Sequence, residues 1–177
     1  MKKILLTLSM TALLLFTAGC SCPFSDKTAD SKPKMNTAAA SAAETAPDFS
    51  YKELGSGKTM RLSDLKDKPV FINFWATWCP PCVGELPHIE KKYAEYKDKM
   101  HFVILSVDDN EQEPARFIQS KGYTFPAAYG DHQALGRAYS IDAIPASYII
   151  SADGRIVAST VGSMNEASLD AFLQKAF

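Results

Sequence analysis

Hydrophobic positions along this chain change period several times, and each change marks an element. Val70-Phe71-Ile72 and Phe74-Trp75 form a run interrupted only by Asn73, the pattern of a strand buried on both faces. Across residues 80–97, Val83, Leu86, Ile89, Tyr93 and Tyr96 recur at helical spacing. A helix is predicted there, with those five as its inner stripe. Pro87 falls within it and predicts a kink. Residues 102–107 read as a second buried strand, closed by Asp108-Asp109-Asn110. Strand, helix and strand at this spacing make a βαβ unit with parallel strands.

The flanks carry shorter signals. Residues 49–54 and 58–62 around Gly55-Ser56-Gly57 predict a small hairpin. A helix over 113–121 stops at Gly122, a short strand covers 126–129, and a brief helix covers 133–139. Strands at 146–151 and 155–161 flank Ala152-Asp153-Gly154, a hairpin signal. A last helix over 165–177 turns Leu169 and Phe172 inward. The expected fold is α/β: a central mixed sheet with helices on both faces and an N-terminal β-hairpin.

Composition adds a compartment. The chain has 177 residues, enough for one domain with appendages. Lys2 and Lys3 precede an apolar stretch from Ile4 to Phe16, so residues 1–19 read as an export signal. Thr17-Ala18-Gly19-Cys20 resembles a bacterial lipobox, with Thr17 where Leu is usual; lipidation of Cys20 would make the mature protein a membrane-anchored lipoprotein. The alternative is ordinary signal cleavage that leaves Cys20 free or paired. Residues 20–46 are rich in Ser, Thr, Ala, Lys and Asp, and read as a flexible tether with a span of roughly 30 Å. The globular domain is then 47–177. An exported chain works where disulfides persist. Formal net charge is −1, with no basic stripe, which excludes nucleic acid as a partner class.

The candidate chemistry lies between the first strand and the first helix. Cys79-Pro80-Pro81-Cys82 puts two thiols one turn apart at a helix start, within disulfide reach. The helix N-terminus favours a thiolate, so Cys79 is the expected nucleophile and Cys82 the resolving thiol. Pro80 and Pro81 fit the first helical turn, where a missing N–H costs little. A metal role would need further ligands; His88, His101 and His132 are scattered and read as solvated, so no metal and no cofactor is expected. Lipidation would use Cys20, leaving Cys22 free, acylated or cross-linked.

Phe74-Trp75-Ala76-Thr77-Trp78-Cys79-Pro80-Pro81-Cys82, followed by Glu85 and Pro87 and later by Ala143-Ile144-Pro145-Ala146, resembles the thioredoxin superfamily. Within it the sequence is most similar to the extracytoplasmic TlpA/ResA-like thiol–disulfide oxidoreductases, over residues 47–177. The resemblance implies a thioredoxin-like fold and a cis bond before Pro145, with Ile144 and Pro145 presenting backbone to a substrate peptide and Trp78 contacting it. Trp75 and Trp78 are expected to shield the active-site face. The resemblance also implies that Glu85 takes part in activity. Thioredoxins carry a buried Asp where this chain has Asn73, which cannot act as a base, so any proton-transfer role shifts toward Glu85.

Three classes of activity follow from this pattern. The first is reduction of specific protein disulfides, such as those of apocytochrome c or a methionine sulfoxide reductase, with electrons from a membrane thiol donor of the CcdA type. The second is a disulfide-forming oxidase, although 37 residues between Val107 and Pro145 leave no room for the helical insertion of DsbA-like oxidases. Copper delivery is the third, and it would want CxxxC where this chain has CxxC. A peroxidase would want Thr three residues before the cysteine, whereas Thr77 is two before Cys79.

Overall fold

The computed structural model describes residues 44–177. The expected export signal, Cys20, Cys22 and all but the last residues of the expected tether lie outside the described residues. Within them the order is β1 (Ser50–Glu53), β2 (Thr59–Arg61), β3 (Val70–Trp75), α1 (Pro80–Tyr96), β4 (His101–Ser106), α2 (Gln112–Lys121), β5 (Ala127–Tyr129), α3 (His132–Ala138), β6 (Ala146–Ile150), β7 (Ile156–Val161) and α4 (Glu166–Leu173).

The strands form one mixed sheet in the order β2-β1-β5-β4-β3-β6-β7. β3 pairs in parallel with β4, and β4 with β5; β6 is antiparallel to β3. The fully buried β3 sits inside the sheet, as its unbroken apolar run requires. Alternation along it feeds two cores. Phe71 and Trp75 join Cys82, Leu86, Ile89 and Phe172 beneath α1 and α4, while Val70, Ile72 and Phe74 join Leu135 and Tyr139 on the other face. Asn73 shares the parity of Phe71 and Trp75 and so turns toward α1.

Element ends carry their expected signals. Gly122 closes α2 at φ 68° and Gly154 turns the β6–β7 hairpin at φ 84°, both left-handed conformations that favour glycine. Asn165 caps α4 by accepting from the Ser168 N–H at 2.9 Å. The final helix stops at Leu173, and a 3₁₀ turn follows at Gln174–Ala176. The N-terminal pairing begins before Pro47: Thr45 bridges to Arg155, the Ala46 N–H donates to Gly154 O at 2.9 Å, and Ala46 is buried.

The inner stripe of α1 differs from the apolar reading in a telling way. Leu86 and Ile89 are buried, but Val83, Tyr93 and Tyr96 are only half-buried, and Glu85 and Lys92 take buried places. Lys92 is tolerated because Glu95 and Asp170 meet its ammonium at 2.7 and 2.8 Å. Glu85 is held by partners on two other segments, Asn73 of β3 and Met164 after β7.

Candidate active site

β3 ends at Trp75, and residues 76–79 turn the chain into α1. The Cys79 N–H donates to Ala76 O at 3.2 Å, closing that turn. Cys79 then occupies the N-cap position, with extended backbone at φ −101° and ψ 100°. Its sulfur accepts from the Cys82 N–H at 3.3 Å, the role an N-cap oxygen usually fills. Pro80 and Pro81 occupy the first two helical positions, where no backbone donor is missed.

Cys79 and Cys82 are joined in a disulfide, with S–S 2.07 Å and Cα–Cα 5.3 Å. Cys82 is 1% exposed and Cys79 5%, so Cys79 is the more accessible of the two. Beside it runs the loop that leads into β6, with a cis Ile144–Pro145 bond. Ile144 O lies 3.8 Å from Cys79 Sγ. In the oxidised pair that sulfur carries no proton, so this is a contact, and the reduced thiol would make it a hydrogen bond.

Behind the pair, Glu85 is 1% exposed, one helical turn after Cys82 and on the same face. Its Oε1 accepts from the Met164 N–H at 3.0 Å and its Oε2 from Asn73 Nδ2 at 3.3 Å. Removal from water outweighs these two donors and pushes the carboxyl from its ordinary 4.5 up to about 7. That places its proton exchange at neutral pH, the condition general acid–base work requires.

The front of the site is apolar and open. Trp78 is 64% exposed at the mouth of the site; Trp75 is fully buried, packed on Phe117 at 5.7 Å between ring centroids. Trp78, Val107, His132, Gly136, Ile141 and Ile144 line a cleft of about 430 Å³. Neither this cleft, which adjoins Cys79 through Trp78 and Ile144, nor a larger hollow of about 670 Å³ between Leu54 and α2 is lined by a cysteine. The three histidines are half-buried rather than solvated, and His101 pairs with Asp67 at 2.6 Å.

Comparison with known proteins gives the family. A family profile described as Redoxin matches residues 41–173. The chain belongs to the redoxin family. ResA thiol–disulfide oxidoreductase of Bacillus thuringiensis (strain Al Hakam) is 35% identical over 131 residues, covering 73% of this chain and 75% of the relative. A thioredoxin-family thiol:disulfide interchange protein of Chlorobium tepidum superposes with a TM-score of 0.69 at 28% identity, over 78% of this chain and 99% of that one. The pneumococcal exposed lipoprotein thioredoxin of Streptococcus pneumoniae superposes at 0.64 with 25% identity, over 73% and 99%. This redoxin has a thioredoxin-like fold, is of the TlpA/ResA type, and is a thiol–disulfide oxidoreductase.

The redoxin's structure brings Cys79, Cys82, Glu85, Ile144, Pro145 and Trp78 together at one end of the sheet. It adds two side chains to the site: Asp108, expected only as the end of the second strand, and Ser147, for which no role was expected. Asp108 is fully buried and holds the turn before the cysteines: it accepts from Thr77 N at 3.1 Å, Thr77 Oγ1 at 2.6 Å and Ser106 Oγ at 2.7 Å. Ser147 is equally buried and accepts from Asn73 Nδ2 at 3.0 Å. Ser147 lies two residues after Pro145, and antiparallel pairing sets it opposite Asn73. Only the strand register could have disclosed that pair.

Proposed function

We propose that this redoxin reduces disulfides of specific protein partners outside the cytoplasm. The observation that carries the reading is the alignment on α1 of an outer cysteine, an inner cysteine and a buried carboxyl that exchanges its proton near pH 7. In the reduced protein, the Cys79 thiolate attacks a partner disulfide. The partner S–S bond breaks, a Cys79–partner disulfide forms, and the first partner thiolate takes a proton from solvent. Glu85 then accepts the Cys82 thiol proton. The Cys82 thiolate attacks Cys79 Sγ, the second partner thiolate leaves, and Glu85 returns the proton to it. Two electrons pass to the partner and the Cys79–Cys82 disulfide remains.

An extended partner segment would lie along the Ile144–Pro145 loop, pairing with the Ile144 backbone, and rest on Trp78. Electrons would return from a membrane thiol donor of the CcdA type. Apocytochrome c and a methionine sulfoxide reductase are the partners that suit an exported reductant. Anchoring through lipidated Cys20 is supported by the lipobox-like residues and by a relative described as an exposed lipoprotein.

Two measurements test this. A Cys82→Ser variant should trap a partner as a mixed disulfide at Cys79, and Cys79→Ser should trap none. Equilibration with glutathione should give a potential well below that of the strong oxidants, which lie near about −120 mV. A value close to that would reverse the direction and make the protein an oxidase.

A further inference from the structure

Asn73, Glu85 and Ser147 form a buried polar cluster, each 1% exposed. Asn73 Nδ2 spends its two protons on Glu85 Oε2 at 3.3 Å and Ser147 Oγ at 3.0 Å. Its Oδ1 is buried and has no partner among the described residues. An unsatisfied acceptor in such a place costs about 1–3 kcal/mol, so it calls for an explanation.

The chemistry of the three groups supplies one. An ionised carboxylate only accepts, so it needs the amide N–H. A protonated carboxyl has an O–H to donate, and then faces an amide that also donates. The acceptor it lacks is the other end of the same amide. A half-turn about the Asn73 Cβ–Cγ bond exchanges Oδ1 and Nδ2 with almost no change in shape. Oδ1 would then accept from the Glu85 hydroxyl and, through its second lone pair, from Ser147 Oγ–H. The serine hydroxyl suits both arrangements because it accepts in one and donates in the other. The unpartnered position passes from Oδ1 to the NH₂ group, whose two protons then stand where Oδ1 has no partner among the described residues, while Met164 N–H stays on Oε1 throughout.

We propose that Asn73 and Ser147 are a reversing amide–hydroxyl pair, which turns over as Glu85 gains and loses its proton and so serves both charge states of that carboxyl. They are positioning residues, acting through Glu85. The proposal deepens the reading of Glu85 as proton carrier and rests on it. No covalent change is involved beyond the proton itself, which Glu85 exchanges with the Cys82 thiol in the reduced protein and with solvent in the oxidised one. The other ionisable side chains on the packed elements, His88 apart, are committed elsewhere. Cys79 and Cys82 are in their disulfide, Lys92 bridges Glu95 and Asp170, and Lys91 meets Glu166. His88 lies one turn after Glu85 and is half-buried. Desolvation is the one cause that raises the Glu85 carboxyl, and both hydrogen bonds lower it.

The test is a pH titration of the oxidised, isotope-labelled full chain by NMR. The Asn73 side-chain NH₂ resonances should move with the same midpoint as the Glu85 carboxyl carbon. Their through-space contacts to Ser147 and Glu85 should be present above that midpoint and weakened below it. In Glu85→Gln the Asn73 signals should stay flat over the same range. Ser147→Ala should broaden or split the Asn73 signals, and Ser147→Thr should restore one set. Asn73 contacts that do not change across the Glu85 midpoint would overturn the proposal even if Glu85→Gln slows exchange. Should Glu85→Gln exchange at the normal rate while the Asn73 signals still turn over, the reversal stands and the carrier reading fails.

Discussion

Glu85 is the residue whose environment can be measured most directly through stability. Its carboxyl titrates at about 7 in the fold, against an ordinary 4.5. Between those values the folded protein keeps a proton that the unfolded chain releases. Stability is therefore fully present below about pH 4.5 and declines as pH rises through 7. The loss is of the order of 3 kcal/mol for a shift of this size. Glu85→Gln should remove most of this slope, so its unfolding midpoint in urea should exceed the parent's at pH 8 and approach it at pH 5. The same variant should slow release of the trapped partner, by roughly a hundredfold if Glu85 carries the full acid–base role.

At the scale of elements, the turn between β3 and α1 is fixed from outside itself. Asp108, at the end of β4, gathers the Thr77 N–H, the Thr77 hydroxyl and the Ser106 hydroxyl. Asp108→Ala would strand one buried and two half-buried donors and should lower stability by about 2 kcal/mol, visible as a fall in the thermal midpoint. Asp108→Asn keeps an acceptor for Thr77 and should recover part of the loss. This explains what could be read from the chain and what could not. β3, α1, β4 and the β6–β7 hairpin are marked by local periodicity and turn residues, and their limits fall within a residue or two of those expected. The dithiol is marked by the spacing of Cys79 and Cys82, and Pro145 by resemblance. Asp108 and Ser147 are short polar residues whose meaning lies in what stands opposite them, and no local pattern carries that. Val83 fits the apolar spacing of α1 yet is half-buried, whereas Glu85 is inside, because Asn73 and Met164 receive it. A hydrophobic count cannot register partners supplied by distant strands.

For the whole molecule, the two cores flanking β3 make the sheet a rigid partition with chemistry at one end. Cys79 follows the C-terminal end of β3, and Pro145 precedes the start of β6, which pairs against that same end through Phe74 and Ala146. Val70 and Ile150 mark the other end, and Ile156 pairs with Ile150 there. The bridge between Thr45 and Arg155 adjoins that end. Six residues of β3 separate the two, roughly 20 Å. The domain is thus polarised like a lamp on its stand, with the chain arriving at the base and the sulfurs at the top. Fastening the protein by its N-terminal side should leave the dithiol facing outward. Beads coupled through that side should reduce a soluble disulfide protein as fast as the free enzyme, whereas coupling near Trp78 or Ile144 should abolish turnover.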